Sequence, residues 1–170
     1  IDKITFFMEE CKRMTIKVLG PDINESLNGF SVNKNGEIRF GLGGLKGVGE
    51  AAIDTIITER NKSGHFKDMV DFIKRVLSRS VNKKSLESLA YSGTFDCFPE
   101  YHRAQFFHVA DGDRTNGLEK LINYAQALQN VNAGTTNTLF GDLPSAMQVP
   151  VPKITVCEEW TLTEKLDHEK

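Results

Sequence analysis

The sequence predicts a mainly α fold with a small two-stranded β element near the N-terminus. Three observations carry that prediction. Apolar residues recur at helical spacing in most segments between Lys3 and Leu128, capping residues stand at the segment boundaries, and one strong hairpin turn, Asn33-Lys34-Asn35-Gly36, separates two short β-prone runs. Taken in order, Lys3 to Met14 places Ile4, Phe7, Met8 and Cys11 on one helical face, and Val18-Leu19-Gly20-Pro21-Asp22-Ile23-Asn24 breaks it into a loop. Phe30 to Val32 and Ile38 to Leu42 then flank the turn as two antiparallel strands. A helix starting near Glu50 carries Ala52, Ile53, Ile56 and Ile57 on its apolar face and ends near Arg60, ahead of Ser63-Gly64. Asp68 caps a helix bearing Met69, Phe72, Ile73 and Val76, and Asn82 caps another bearing Leu86, Leu89 and Ala90 that closes at Gly93. His102 to Ala110 and Leu118 to Leu128 are further amphipathic helices. From Asn130 the chain turns polar, and Pro144, Pro150 and Pro152 punctuate it as a loop.

The most informative run is Gly44-Leu45-Lys46-Gly47-Val48-Gly49-Glu50-Ala51-Ala52-Ile53. Gly47 and Gly49 have no Cβ, so the turn can be tight and another backbone can come close. The first turn of the helix that follows offers unpaired N–H groups and the positive end of the helix dipole, both of which favour an anion. This spacing resembles the helix-hairpin-helix motif, which binds duplex DNA without reading its sequence. A glycine turn that merely packs two helices closely is the other reading of the same residues.

Composition narrows the choice. The chain has 170 residues, 39% of them hydrophobic and 26% charged, enough to bury one good core. A net charge of −2 excludes a wholly electrostatic nucleic-acid binder, so DNA contact requires a local basic patch. Between Phe72 and Leu86 stand Lys74, Arg75, Arg79, Lys83 and Lys84 with no acid among them, whereas Glu158, Glu159, Glu164, Asp167 and Glu169 gather near the other end. Cys11, Cys97 and Cys157 form no Cys-x-x-Cys pair, which fits reduced thiols in a cytoplasmic protein and gives no zinc signature. No apolar run approaches membrane-spanning length and no signal peptide precedes Ile1, so no membrane association is expected. The missing initiator methionine and the helical pattern running to Lys170 predict a segment of something longer.

Several further blocks carry a resemblance to one family. Lys12-Arg13-Met14, Val18-Leu19-Gly20-Pro21-Asp22-Ile23-Asn24-Glu25-Ser26, Ile38-Arg39-Phe40-Gly41-Leu42, Lys46-Gly47-Val48-Gly49, Val81-Asn82-Lys83-Lys84 and Gly93-Thr94-Phe95-Asp96 resemble, in order and spacing, blocks of the bacterial DNA polymerase III α-subunit family of C-family replicative polymerases. The resemblance implies a tandem helix-hairpin-helix region lying after the fingers and before an OB-fold domain. It divides the chain into 1–43, the end of the fingers and a connecting β-hairpin; 44–129, the tandem helix-hairpin-helix unit; 130–153, a loop with a clamp-binding segment; and 154–170, a linker toward the OB-fold. It also implies duplex DNA, the β sliding clamp and other polymerase III holoenzyme subunits as partners, in the bacterial cytoplasm. The palm carboxylates that hold catalytic Mg²⁺ in that family lie upstream, so no cofactor or metal is expected in this stretch, although the full-length polymerase needs Mg²⁺.

No catalytic site is expected from the residues either. Two-metal phosphoryl transfer needs clustered carboxylates on a rigid frame. Asp68 with Asp71, and Asp111 with Asp113, sit at helix starts or in a loop and read as capping or solvated acids. His65, His102, His108 and His168 are dispersed, with none at ligand spacing from a cysteine or another histidine. That excludes a stand-alone repair enzyme built on a helix-hairpin-helix. DNA contact is expected instead from Lys46, Gly47, Val48 and Gly49 in the first hairpin, and from Arg79, Ser80, Lys83 and Lys84 in the second, which lacks glycines. Thr136-Asn137-Thr138-Leu139-Phe140 ends a polar tether in an apolar pair and resembles the family's clamp-binding pentapeptide, with Thr136 where that motif has Gln. Packing of Leu139 and Phe140 back onto the domain is the other reading of that pair. At the level of the whole segment, a purely structural connector between fingers and OB-fold is the alternative.

Overall fold

The computed structural model describes residues 2–132 and 149–169. Its helices are α1 (Asp2–Arg13), α2 (Glu50–Ser63), α3 (Met69–Val76), α4 (Lys83–Tyr91), α5 (Arg103–Phe107), α6 (Gly117–Asn132) and α7 (Leu162–His168). Three two-residue strands, β1 (Val18–Leu19), β2 (Ser31–Val32) and β3 (Ile38–Arg39), form a small sheet. The fold is therefore mainly α with a β element near the N-terminus, as the sequence predicts.

The β element differs from expectation in one respect. β2 and β3 pair antiparallel across the Asn-Gly turn, and β1 adds to the other side of β3 in parallel, with Val18 opposite Ile38. Sequence reading places Val18 and Leu19 in a loop, and the correction makes the expected two-stranded element three-stranded. A two-residue strand has no alternation to detect, and its partner lies twenty residues away, so nothing local announces it.

Helix boundaries follow cap chemistry. The Asp68 carboxylate accepts from the Asp71 N–H at 2.7 Å, and the Asn82 side chain accepts from the Ser85 N–H at 3.2 Å. Each therefore holds one amide that the first turn of its helix leaves unpaired. Gly93, at φ +77°, follows α4, where an added Cβ would meet the Arg103 guanidinium.

The core fills the space between α2, α3, α4, α5 and α6. Ile53 and Ile56 from α2, Met69, Phe72, Ile73 and Val76 from α3, and Leu86 and Leu89 from α4 are buried against Phe95, Phe106, Leu118 and Leu121. Phe66, Phe72, Phe95 and Phe106 run through it as edge-on or tilted ring pairs. Arg60 is buried too, and its guanidinium donates to the carbonyls of Ile23 and Ser26 at 2.7 and 2.8 Å, tying the segment between β1 and β2 to α2. Against this core, α1 stands out: Phe6 and Phe7 are each 62% exposed.

The C-terminal residues wrap back over α4 and α5. Trp160 stacks on Phe107 and on His168, and the Arg103 guanidinium binds both Asp96 and Glu169. Among the described residues no helix is long and apolar enough to cross a membrane.

Candidate nucleic-acid interface

The first hairpin begins with a single 3-10 turn, Leu42–Gly44, and reaches α2 through Leu45 to Gly49. Val48 points into the core, whereas Lys46, Gly47 and Gly49 are exposed. That alternation anchors the turn by its one apolar side chain and leaves its backbone facing outward. Gly49 is the N-cap residue of α2, and its carbonyl accepts from Ala52 and Ile53 at 2.9 and 3.1 Å. The N–H groups of Gly47, Gly49, Glu50 and Ala51 donate to no acceptor among the described residues. They are open to an anion at the positive end of the helix.

The two glycines do different work. Gly47 has φ +92°, and a Cβ there would lie 2.4 Å from Ser88 Oγ on α4. Gly49 has φ −74°, and a Cβ there would meet nothing within 4 Å. Gly47 is thus required by its backbone conformation and its closeness to Ser88, and Gly49 leaves open space beside the start of α2.

The second hairpin joins α3 to α4 through Leu77 to Asn82. Its turn lacks glycine and is held by hydroxyls: Ser78 Oγ accepts from the Val81 N–H at 3.3 Å and lies 2.9 Å from Ser80 Oγ. Ser80 Oγ is also 3.0 Å from Thr55 Oγ1 on α2. The packing is reciprocal, since the first turn rests on α4 at Ser88 and the second rests on α2 at Thr55. Gln129 on α6 braces the second turn from outside by donating to the Leu77 carbonyl at 3.0 Å. The N–H groups of Arg79, Ser80, Lys83 and Lys84 again have no acceptor among the described residues.

The basic run is less of a patch than its sequence implies. Arg75 binds Glu59 and Asp71, both at 3.0 Å, and lies over the Phe66 ring. Lys83 binds Glu119 on α6 at 2.5 Å and lies 3.8 Å from Glu87. The Glu119 contact raises the Lys83 ammonium above its usual range and holds the Glu119 carboxyl below its own. Lys74 sits 5.2 Å over the Tyr124 ring. Lys46, Arg79 and Lys84 are exposed and form no ion pair among the described residues. The unpaired charge on the two hairpin turns is therefore Lys46, Arg79 and Lys84, with Lys74 on α3 held over a ring, and Lys83, expected on that surface from sequence, is matched within the protein.

Asp68 and Asp71 are likewise occupied, the first in capping α3 and the second in pairing with Arg75. Thr136, Asn137, Thr138, Leu139 and Phe140 lie outside the described residues. Sequence reasoning missed Ser88, which packs beside the first turn, and Thr55 and Gln129, whose side chains bond the second. Only Thr55 carries a hint, as a β-branched hydroxyl on the edge of the apolar face of α2.

The family model for the helix-hairpin-helix motif matches residues 15–106. The DNA polymerase III subunit alpha of Vibrio cholerae is 35% identical over 169 residues, covering 99% of this chain. That of Escherichia coli K12 is 34% identical over the same length, and that of Haemophilus influenzae is 42% identical over 115 residues. The chain spans about 14% of the length of the first two relatives and 10% of the third.

Proposed function

This chain belongs to the helix-hairpin-helix family, as a stretch related to the bacterial DNA polymerase III α subunit, and from that premise we propose that it grips duplex DNA within a replicative polymerase. The observation that carries this reading is the paired set of open amides at the starts of α2 and α4, flanked by Lys46, Arg79 and Lys84. Each hairpin receives a phosphate on its backbone N–H groups, and the nearby cation adds attraction without demanding a base. Contacts of this kind position a protein on DNA and carry no sequence information, as a polymerase that copies every sequence requires. Nucleotide incorporation belongs to other parts of the polymerase, with Mg²⁺ held there, in the bacterial cytoplasm.

Gly49→Thr tests the reading. Threonine is about as good an N-cap as glycine, so α2 keeps its start while the added side chain occupies the approach to the amides. The expected result is unchanged folding with duplex binding weakened at least about tenfold, the loss of one charge-assisted contact. Unchanged binding contradicts it.

The segment Thr136 to Phe140 docks the β sliding clamp, a reading supported by its apolar pair at the end of a polar tether and by its resemblance to the clamp-binding pentapeptide of the polymerase α-subunit family. Burying Leu139 and Phe140 contributes about 1.5 to 3 kcal/mol each, set against the cost of ordering the tether. Affinity is modest and becomes sufficient once clamp and polymerase share one DNA. Calorimetry against purified clamp checks this: Leu139→Ala with Phe140→Ala abolishes binding, and Thr136→Gln strengthens it. Binding like wild type by the double variant contradicts the assignment.

One set of observations favours the alternative, a structural connector without DNA contact. Arg75 and Lys83 are consumed by internal ion pairs, and the exposed Glu50 sits on the very turn that would meet a phosphate. Duplex binding at low salt separates the two readings.

A further inference from the structure

The hydroxyls that join the two hairpins form a chain with one possible direction, and from it we infer that Ser80 is a positioning residue whose proton points into the protein. Thr55 Oγ1 donates to the Ala51 carbonyl at 2.7 Å. A hydroxyl has a single proton, so toward Ser80 the Thr55 oxygen can only accept, and Ser80 donates across the 3.0 Å contact. With that proton engaged, the 2.9 Å contact between Ser80 and Ser78 is donated by Ser78, which itself accepts from the Val81 N–H. The relay runs from Val81 N–H through Ser78, Ser80 and Thr55 to the Ala51 carbonyl, and every hydroxyl proton in it is used.

Two consequences follow for the DNA reading, on which this inference rests. Ser80 presents only its remaining lone pair outward, which repels a phosphate oxygen, so its hydroxyl does not bind the backbone directly. The relay instead starts one residue before the Asn82 cap and ends in the first turn of α2, so it spans the two clusters of open amides. Successive bonds pointing the same way polarise one another, which stiffens the link. Thr55 and Ser80 thereby set the spacing at which two phosphates can be held together.

Duplex binding by the 170-residue chain is compared for wild type, Thr55→Val, Ser80→Ala and the double variant, with Thr55→Ser as the rescue. Each single variant is expected to weaken binding about fivefold, the equivalent of one ordinary hydrogen bond. The double variant is no weaker than the worse single, because both break one relay. Thr55→Ser restores wild-type binding. The salt dependence of Thr55→Val becomes shallower by about one unit as Lys46 loses register with Arg79 and Lys84, a change that lower stability alone would not cause. If Ser80→Ala weakens binding while Thr55→Val is silent, or the two losses add, Ser80 meets the phosphate directly and the inference fails. It fails equally if both variants bind like wild type. A wild-type chain that does not bind duplex at all overturns the DNA reading, and the inference with it.

Discussion

Gly47 and Gly49 are two residues apart and should respond to substitution in opposite ways. Gly47→Ala places a Cβ at positive φ and against Ser88, so it should cost about 1 to 3 kcal/mol of stability by urea denaturation. Gly49→Thr should leave stability within about 0.5 kcal/mol by the same measurement, because its backbone is ordinary and its surroundings are open. Both glycines are visible in the sequence as a turn signal. Their division of labour is not, since it depends on Ser88, which approaches from another helix. Arg60 makes the same point more sharply. The sequence places it only as the residue near which α2 ends, yet it is buried with its guanidinium on two backbone carbonyls. Arg60→Met strands both carbonyls and should cost about 2 to 4 kcal/mol, measured in the same way.

At the scale of elements, the second hairpin was legible because its signals are local. Asp68, Asn82 and Gly93 act within a few residues of the helices they bound, and the structure finds them at those boundaries. The charge pattern was not legible, because Lys83 is matched by Glu119, which is 36 residues away on α6. Strand β1 escaped for the same reason. A consequence separates Lys83 from its neighbour. Arg79→Ala and Lys84→Ala should each flatten the salt dependence of duplex binding by about one unit, and Lys83→Ala should leave it nearly unchanged. A salt titration of the three variants checks this, and equal slopes for all three would return Lys83 to the interface.

For the molecule as a whole, several carboxylates are held below their ordinary range by partners near and far along the chain. Glu37 is held by the Asn33 side chain, Glu59 by Ser63 and Arg75, and Glu119 by Lys83. A carboxyl whose folded pKa is depressed contributes stability that is fully present above its unfolded value of 4.5 and is lost as pH falls through the folded value. Melting temperature should therefore be flat from neutral pH to about pH 5 and fall below about pH 4. A melting temperature that rises on acidification would contradict these contacts.

The central claim is that two hairpins offer open amides and three unpaired cations to a DNA backbone. Its most direct test is the affinity of the chain for two duplexes of unrelated sequence, measured across a range of salt concentrations. Three phosphates neutralised by Lys46, Arg79 and Lys84 predict a log-log slope of about −3, equal for both duplexes. A slope near zero, or strong preference for one duplex, would contradict the account.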